Sequence, residues 1–188
     1  LLLSSLYERG KETEKALEVL VRAHQFDEKN TDLLFQMGII YDKLGEFEDM
    51  VRRMREVIAL DPKHADALNY LGYTFADKGI NLDESLELIQ KALKLKPESG
   101  YITDSLGWVY YKKGEYEKAV IELEKAIELT PDDPIITEHL GDGYLKINLV
   151  DKALELYERA LQLKPKEDQL TRLKGKIEEI RAKKGKHP

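Results

Sequence analysis

Residues 106–131 read LGWVYYKKGEYEKAVIELEKAIELTP, and this stretch decides the fold. It opens on Leu106-Gly107-x2-Tyr110 and continues as Ala119-x3-Leu123, with Ala126 a turn further on. Gly114 stands between the two halves, where a helix ends most easily because glycine accepts a left-handed backbone. Leu129-x-Pro131 closes the second half, and proline stops a helix. One stretch thus specifies a helix, a turn, a second helix and a stop.

The same columns recur on both sides. Glycines fall at Gly38, Gly72, Gly107 and Gly141, spaced 34, 35 and 34 residues. Prolines fall at Pro62, Pro97, Pro131 and Pro165, spaced 35, 34 and 34. A small or compact apolar column runs through Ala16, Met50, Ser85, Ala119 and Ala153, and another through Ala23, Val57, Ala92, Ala126 and Ala160. Four columns with one period mark an internal repeat. Within 31–44, Leu34, Met37, Tyr41 and Leu44 are spaced three and four apart, one face of a helix. A mid-helix glycine costs ~1 kcal/mol against alanine. Its recurrence therefore implies close approach of the partner helix. Gly45 and Gly79 match Gly114 as helix ends, and Asn148 takes that place in the last unit, asparagine tolerating the conformation next best.

The columns Met37-Gly38-x2-Tyr41, Leu71-Gly72-x2-Phe75, Leu106-Gly107-x2-Tyr110 and Leu140-Gly141-x2-Tyr144, with the later alanines and prolines, resemble the tetratricopeptide repeat (TPR) over nearly the whole chain. The resemblance implies an all-α fold, a right-handed α-solenoid of helix-turn-helix repeats with a C-terminal capping helix. The register places repeats at 31–64, 65–99, 100–133 and 134–167, the second with one extra residue between Gly79 and Ser85. Residues 1–30 fit as a partial, degenerate first repeat, with Tyr7, Ala16, Leu20 and Ala23 on column and Ser4 in the glycine's place. A chain that starts inside a helix and without Met is expected to be a fragment of a longer protein. Residues 168–183 form one more helix, apolar at Leu170, Leu173, Ile177 and Ile180 and charged elsewhere, as a solvating cap should be, and 184–188 a disordered tail.

Composition narrows the function. The 188 residues are 42% hydrophobic and 35% charged, with a net charge of −6 and no cysteine. Disulfides, thiolate metal sites and cysteine nucleophiles are thereby excluded. No run of 18 apolar residues exists, so no helical span is expected and no direct membrane insertion. Residues 164–188 carry nine basic and four acidic groups, which leaves −11 on the rest. An acidic body argues against nucleic acid as partner. Leu1 to Leu6 lacks the basic start and cleavage site of a secretion signal.

No nucleophile elbow, P-loop or dinucleotide fingerprint occurs. Gly141-Asp-Gly143 falls inside a helix. His24, His64, His139 and His187 share no ligand spacing, so surface histidines are expected rather than a metal site. Lys and Glu interleave at helical spacing, as in Glu115 to Lys125, and read as a solvated face. No enzyme and no cofactor is expected.

The resemblance implies that positions 2, 5, 9 and 12 of each repeat line a concave groove. These are Asp32, Phe35, Ile39 and Asp42; Asp66, Asn69, Tyr73 and Ala76; Tyr101, Asp104, Trp108 and Tyr111; Ile135, Glu138, Asp142 and Leu145. Lys43, Asp77, Lys112 and Lys146 flank them at the rim. The peptide-binding residues expected are Phe35, Ile39, Asp66, Asn69, Tyr73, Tyr101, Asp104, Trp108, Tyr111, Glu138 and Asp142. Trp108, the chain's single tryptophan, would either face a ligand or pack on the neighbouring repeat. Only Asn69 suits a clamp for C-terminal carboxylates, so an apolar or basic peptide or helix is the expected ligand of this acidic, aromatic groove. The function expected is a protein–protein scaffold or adaptor. The alternatives are a module self-associating through its N-terminal repeat, and an accessory domain of a protein whose activity lies upstream. Asp104-Ser-Leu-Gly-Trp-Val-Tyr and His139-Leu-Gly-Asp resemble arrays of bacterial envelope-associated TPR proteins, which favours the envelope over the cytoplasm.

Overall fold

The computed structural model describes residues 2–10 and 12–184. The tail expected from 184 lies outside the described residues from 185 onward, and Lys184 is the last residue of a helix. The described residues form eleven helices: α1 Leu2–Arg9, α2 Thr13–His24, α3 Thr31–Lys43, α4 Phe47–Leu60, α5 Ala65–Lys78, α6 Leu82–Leu95, α7 Gly100–Lys112, α8 Tyr116–Leu129, α9 Pro134–Lys146, α10 Val150–Gln162 and α11 Glu167–Lys184. The all-α architecture read from the sequence is the one adopted.

The starts of α3, α5, α7 and α9 share one device. The side chains of Asn30, Ser99 and Asp133 accept backbone N–H bonds from Leu33, Ile102 and Ile136, and His64 Nδ1 accepts one from Ala67. Each satisfies a donor that the first turn leaves without a partner. Their ends also share one. Gly45, Gly79, Gly114 and Asn148 have φ of 78°, 69°, 79° and 63°. The next amide then reaches back five residues, Glu46 to Tyr41, Ile80 to Phe75, Glu115 to Tyr110 and Leu149 to Tyr144, which closes a Schellman turn. The extra residue of the second repeat is absorbed by Asn81, a further left-handed residue at φ 47°.

The mid-helix glycines mark close approach. A Cβ on Gly38, Gly72, Gly107 or Gly141 would sit 2.6, 2.7, 2.6 and 2.5 Å from Met54, Ile89, Leu123 and Tyr157 respectively. Each is the second helix of the same pair pressing on the first. Ser85, in the small column, adds a hydrogen bond of 2.6 Å to the Gly72 carbonyl.

The chain divides into two compact units, 1–71 and 72–188, with the boundary inside α5. In the first, α1 packs on α2, α2 on α3 and α3 on α4. Its core joins Ala16, Leu20, Leu33, Met37 and Ile40. In the second, successive helices from α6 to α11 pack pairwise and α7 also touches α9. Its core runs through Leu123, Leu140, Tyr144 and Tyr157 to Leu173, Ile177 and Ile180 of α11.

Candidate peptide-binding site

The second unit contains a cleft of about 450 Å3 lined by residues of α5, α7, α9 and α11. Tyr73, Trp108, Ile135, Glu138 and Asp142, five of the expected groove positions, meet there, joined by Asp77, His139, Arg172 and Lys176. The period that repeats the first helices at 34 or 35 residues also brings these positions together.

Trp108 is the central wall. Its indole lies parallel to His139 at 4.0 Å and to Tyr111 at 4.8 Å between ring centroids. Only 8% of the residue is exposed. The indole packs on His139 of the neighbouring repeat and turns its remaining edge to the cleft. Its Nε1–H donates to Asp77 at 3.3 Å, and Lys112 lies 5.2 Å from the indole centroid while donating to the Asp77 carbonyl. Tyr111 is half-buried, and burial and Asp142 push its hydroxyl up to about 12.

The acidity differs from that expected, because the second unit supplies its own cations. Glu138 is buried and accepts from Lys176 at 2.8 Å, from Arg172 at 3.2 Å and from Gln169 at 2.9 Å. Burial alone would raise its carboxyl, but Lys176 and Arg172 outweigh this and hold it below the ordinary 4.5. Lys176 also donates to both Asp142 oxygens, at 2.6 and 2.7 Å, and the Tyr157 hydroxyl donates to Asp142 at 2.6 Å. Asp104 is buried against His139 Nδ1, whose distances to its two oxygens are 2.9 and 3.1 Å. Asp104, Glu138 and Asp142 are thus committed inside the protein. Asp77, read as a rim residue, remains exposed at the cleft.

Tyr73 is partly buried, and burial, then Asp77 and Asp104, push its hydroxyl well above the ordinary 10.0. Tyr101, at 60% exposure, stands outside the cleft lining, and so do Asp104 and Tyr111. In the first unit, Phe35 is half-buried, with its ring 5.0 Å from His64 and edge-on to Tyr70 at 6.1 Å. Ile39 is half-buried and Asp66 exposed. The buried Asn69 Oδ1 has no hydrogen-bond partner among the described residues.

Three contributors were not visible as such in the sequence. His139 reads as a surface residue, yet it is buried. Arg172 and Lys176 read as part of a solvated face, yet they point back at α9. The available signal was the i, i+3, i+7 spacing of Gln169, Arg172 and Lys176, which puts all three on one face of α11.

Among the described residues no cluster of His, Asp and Glu is placed to hold a metal, and no helix is long and apolar enough to cross a membrane. Family models described as tetratricopeptide repeat match residues 35–100 and 137–171, and one described as TPR repeat matches 107–148. The chain belongs to the tetratricopeptide repeat family. A TPR repeat-containing protein of Pseudomonas aeruginosa is 37% identical over 106 residues, 56% of this chain and 18% of that protein. The BBSome complex member BBS4 of Bos taurus is 30% identical over 115 residues, 61% of this chain and 22% of that one. This TPR chain therefore spans about a fifth of the length of these curated relatives. Among solved structures, a thermophilic TPR protein of Thermus thermophilus superposes with a TM-score of 0.79 over 94% of this chain and 96% of that one, at 23% identity. PilW, a type IV pilus biogenesis factor, gives 0.82 over 97% and 89%, at 18% identity. At such identities the likeness is one of fold, the TPR solenoid. TPR proteins mediate protein–protein interactions, and the fold is generally a non-catalytic scaffold.

Proposed function

We propose that this TPR chain is a non-enzymatic adaptor that holds a segment of a partner protein against its first-helix faces, with the cleft of the second unit as the main contact. The observation that carries this is the juxtaposition of Tyr73, Ile135 and the edge of Trp108 with the exposed Asp77. Partly buried aromatic and apolar walls beside an exposed carboxylate suit an apolar segment that carries a lysine or arginine. Asp104, Glu138 and Asp142 shape the cleft rather than contribute free charge to it, so Asp77 supplies the electrostatic preference.

The test is capture from a lysate by the wild-type chain, Asp77→Lys and Ile135→Asp, followed by cross-link mapping of retained proteins. Both side chains are exposed, so the variants should fold. A partner that cross-links near Tyr73 and is lost in both variants supports the groove. Equal retention by all three chains rejects it. Self-association through α1 is a second reading, favoured by Leu2 and Leu3 at 78% and 50% exposure. It requires a mass that rises with concentration and falls in Leu2→Glu.

A further inference from the structure

We infer that Asp104, His139 and Trp108 make one wall of the cleft proton-responsive, so that the charge on His139 sets how the indole and Asp77 are presented. This rests on the cleft being the contact surface, and it adds a regulator to it.

The geometry is a continuous line from the interior to the mouth. His139 is buried, 7% exposed, with Nδ1 against the Asp104 carboxylate, itself 5% exposed. The imidazole lies against the indole at 4.0 Å and an interplanar angle of 12°. The indole N–H then donates to Asp77 at 3.3 Å. Any change of charge on the imidazole is felt by the indole, and through the indole by the exposed carboxylate.

The groups around the ring decide whether it titrates. From α7 come Asp104 and Tyr111. From α9 itself come Glu138 and Asp142, both committed to Lys176, and Glu138 also to Arg172, on α11. From α5 come Tyr73 and Asp77, both lining the cleft with the imidazole. From α10, Tyr157 bonds to Asp142, and from α8, Glu124 accepts from the Tyr144 hydroxyl further along α9. The two α11 cations answer Glu138 and Asp142. Among the described residues the Asp104 carboxylate has the imidazole as its partner. Burial opposes a charge on the ring, and Asp104, followed by Asp142 and Glu138, raises its affinity for a proton above the ordinary 6.5. An imidazolium stacked on an indole also gains a cation–π contact.

Two states follow. With His139 protonated, Asp104 is neutralised and the indole is held flat on the imidazolium. With His139 neutral, the stack loosens and the cleft gains one negative charge, which favours a cationic segment. By reciprocity, a cationic segment in the cleft lowers the proton affinity of His139.

The experiment is an NMR titration of the imidazole and of the Trp108 indole N–H, from about pH 5 to about pH 9, the window in which histidine charge changes. Trp108 emission is recorded alongside, since it is the only tryptophan. The wild-type chain should show a His139 midpoint above 6.5, with both Trp108 signals moving at the same midpoint. Asp104→Asn should lower all of these midpoints together, by about one pH unit, a tenfold loss of proton affinity. His139→Gln should remove the Trp108 transition at unchanged helicity. Trp108 signals that stay flat while His139 titrates would overturn the inference, as would a wild-type midpoint at or below 6.5. Either result leaves the capture test decidable, because Ile135→Asp probes the contact surface without touching the line from His139 through Trp108 to Asp77. Should His139→Gln fail to fold, the wild-type and Asp104→Asn titrations still decide.

Discussion

At the scale of single residues, the glycine column separates by what stands opposite. At Gly38 a new methyl would meet the terminal Cε of Met54, the far end of a flexible chain. At Gly141 it would meet two atoms of the Tyr157 ring at 2.5 and 2.8 Å, and that ring is fully buried and tied to Asp142. A methionine end can turn aside, whereas a buried, bonded ring cannot. Gly141→Ala should therefore cost ~1–3 kcal/mol by overpacking, with Gly38→Ala well below it. Denaturant midpoints of the two variants give the order, and equal midpoints would contradict it. Trp108→Ala belongs to the same scale. With the indole stacked on two rings, the substitution should behave as core truncation and cost ~3–5 kcal/mol, read as a clear fall in Tm. An unchanged Tm would mean that the indole does not carry the packing described.

At the scale of elements, α11 is both a cover and a counter-charge. Leu173, Ile177 and Ile180 are buried in the core of the second unit, while Gln169, Arg172 and Lys176 answer Glu138 and Asp142. Lys176→Met should cost ~1–3 kcal/mol, because it removes the cation shared by Glu138 and Asp142 and takes from Asp142 Oδ2 its donor. Adding Glu138→Gln should recover part of that loss, since a broken charge pair is worse than a removed one. A double-mutant cycle reads the coupling, and strict additivity would show that the contact is idle. The pH dependence has a definite sign. Glu138 lies below its ordinary 4.5 in the folded chain, so its contribution is present above 4.5 and is lost as pH falls through the lowered folded value. His139 runs the other way: its contribution is complete below 6.5 and is lost as pH rises through the raised folded value. Glu138→Gln should flatten the acid limb of the Tm profile, and His139→Gln the limb above 6.5.

Much of this element plan was legible in the sequence, for a physical reason. A left-handed turn residue and a close helix contact each admit few residue types, so Gly45, Gly79, Gly114 and Asn148, and Gly38 to Gly141, announce themselves by identity and period. The column of caps was harder to see. Asn30, His64, Ser99 and Asp133 do one task with four different side chains, since any suitably placed acceptor will serve. The site was legible as positions and illegible as charge. That Trp108 lies in the first-helix row follows from period alone. That His139 faces Asp104, or that Lys176 faces Asp142, depends on how α7, α9 and α11 are rotated about their axes. No spacing within one helix fixes that rotation.

At the scale of the whole molecule, the uneven charge acquires a structural meaning. Residues 164–188 are net positive and the remainder carries −11. In the second unit part of that excess is held on the first-helix faces as Glu138 and Asp142, and α11 returns cations to that place. Truncation after Pro165 would therefore remove two supports at once: the apolar cover on Tyr157 and its neighbours, and the charges that let Glu138 remain buried. The second unit has its own core, distinct from that built on Leu20, Met37 and Ile40 in the first. The loss should consequently be regional. Hydrogen exchange should show α9 and α10 losing protection in the truncated chain while α2 and α3 keep theirs. Added salt should restore protection only in part, because it screens the carboxylates yet cannot replace the buried apolar contacts. Full restoration by salt would mean that α11 acts by charge alone, and unchanged protection would mean that it rests on the second unit without holding it together.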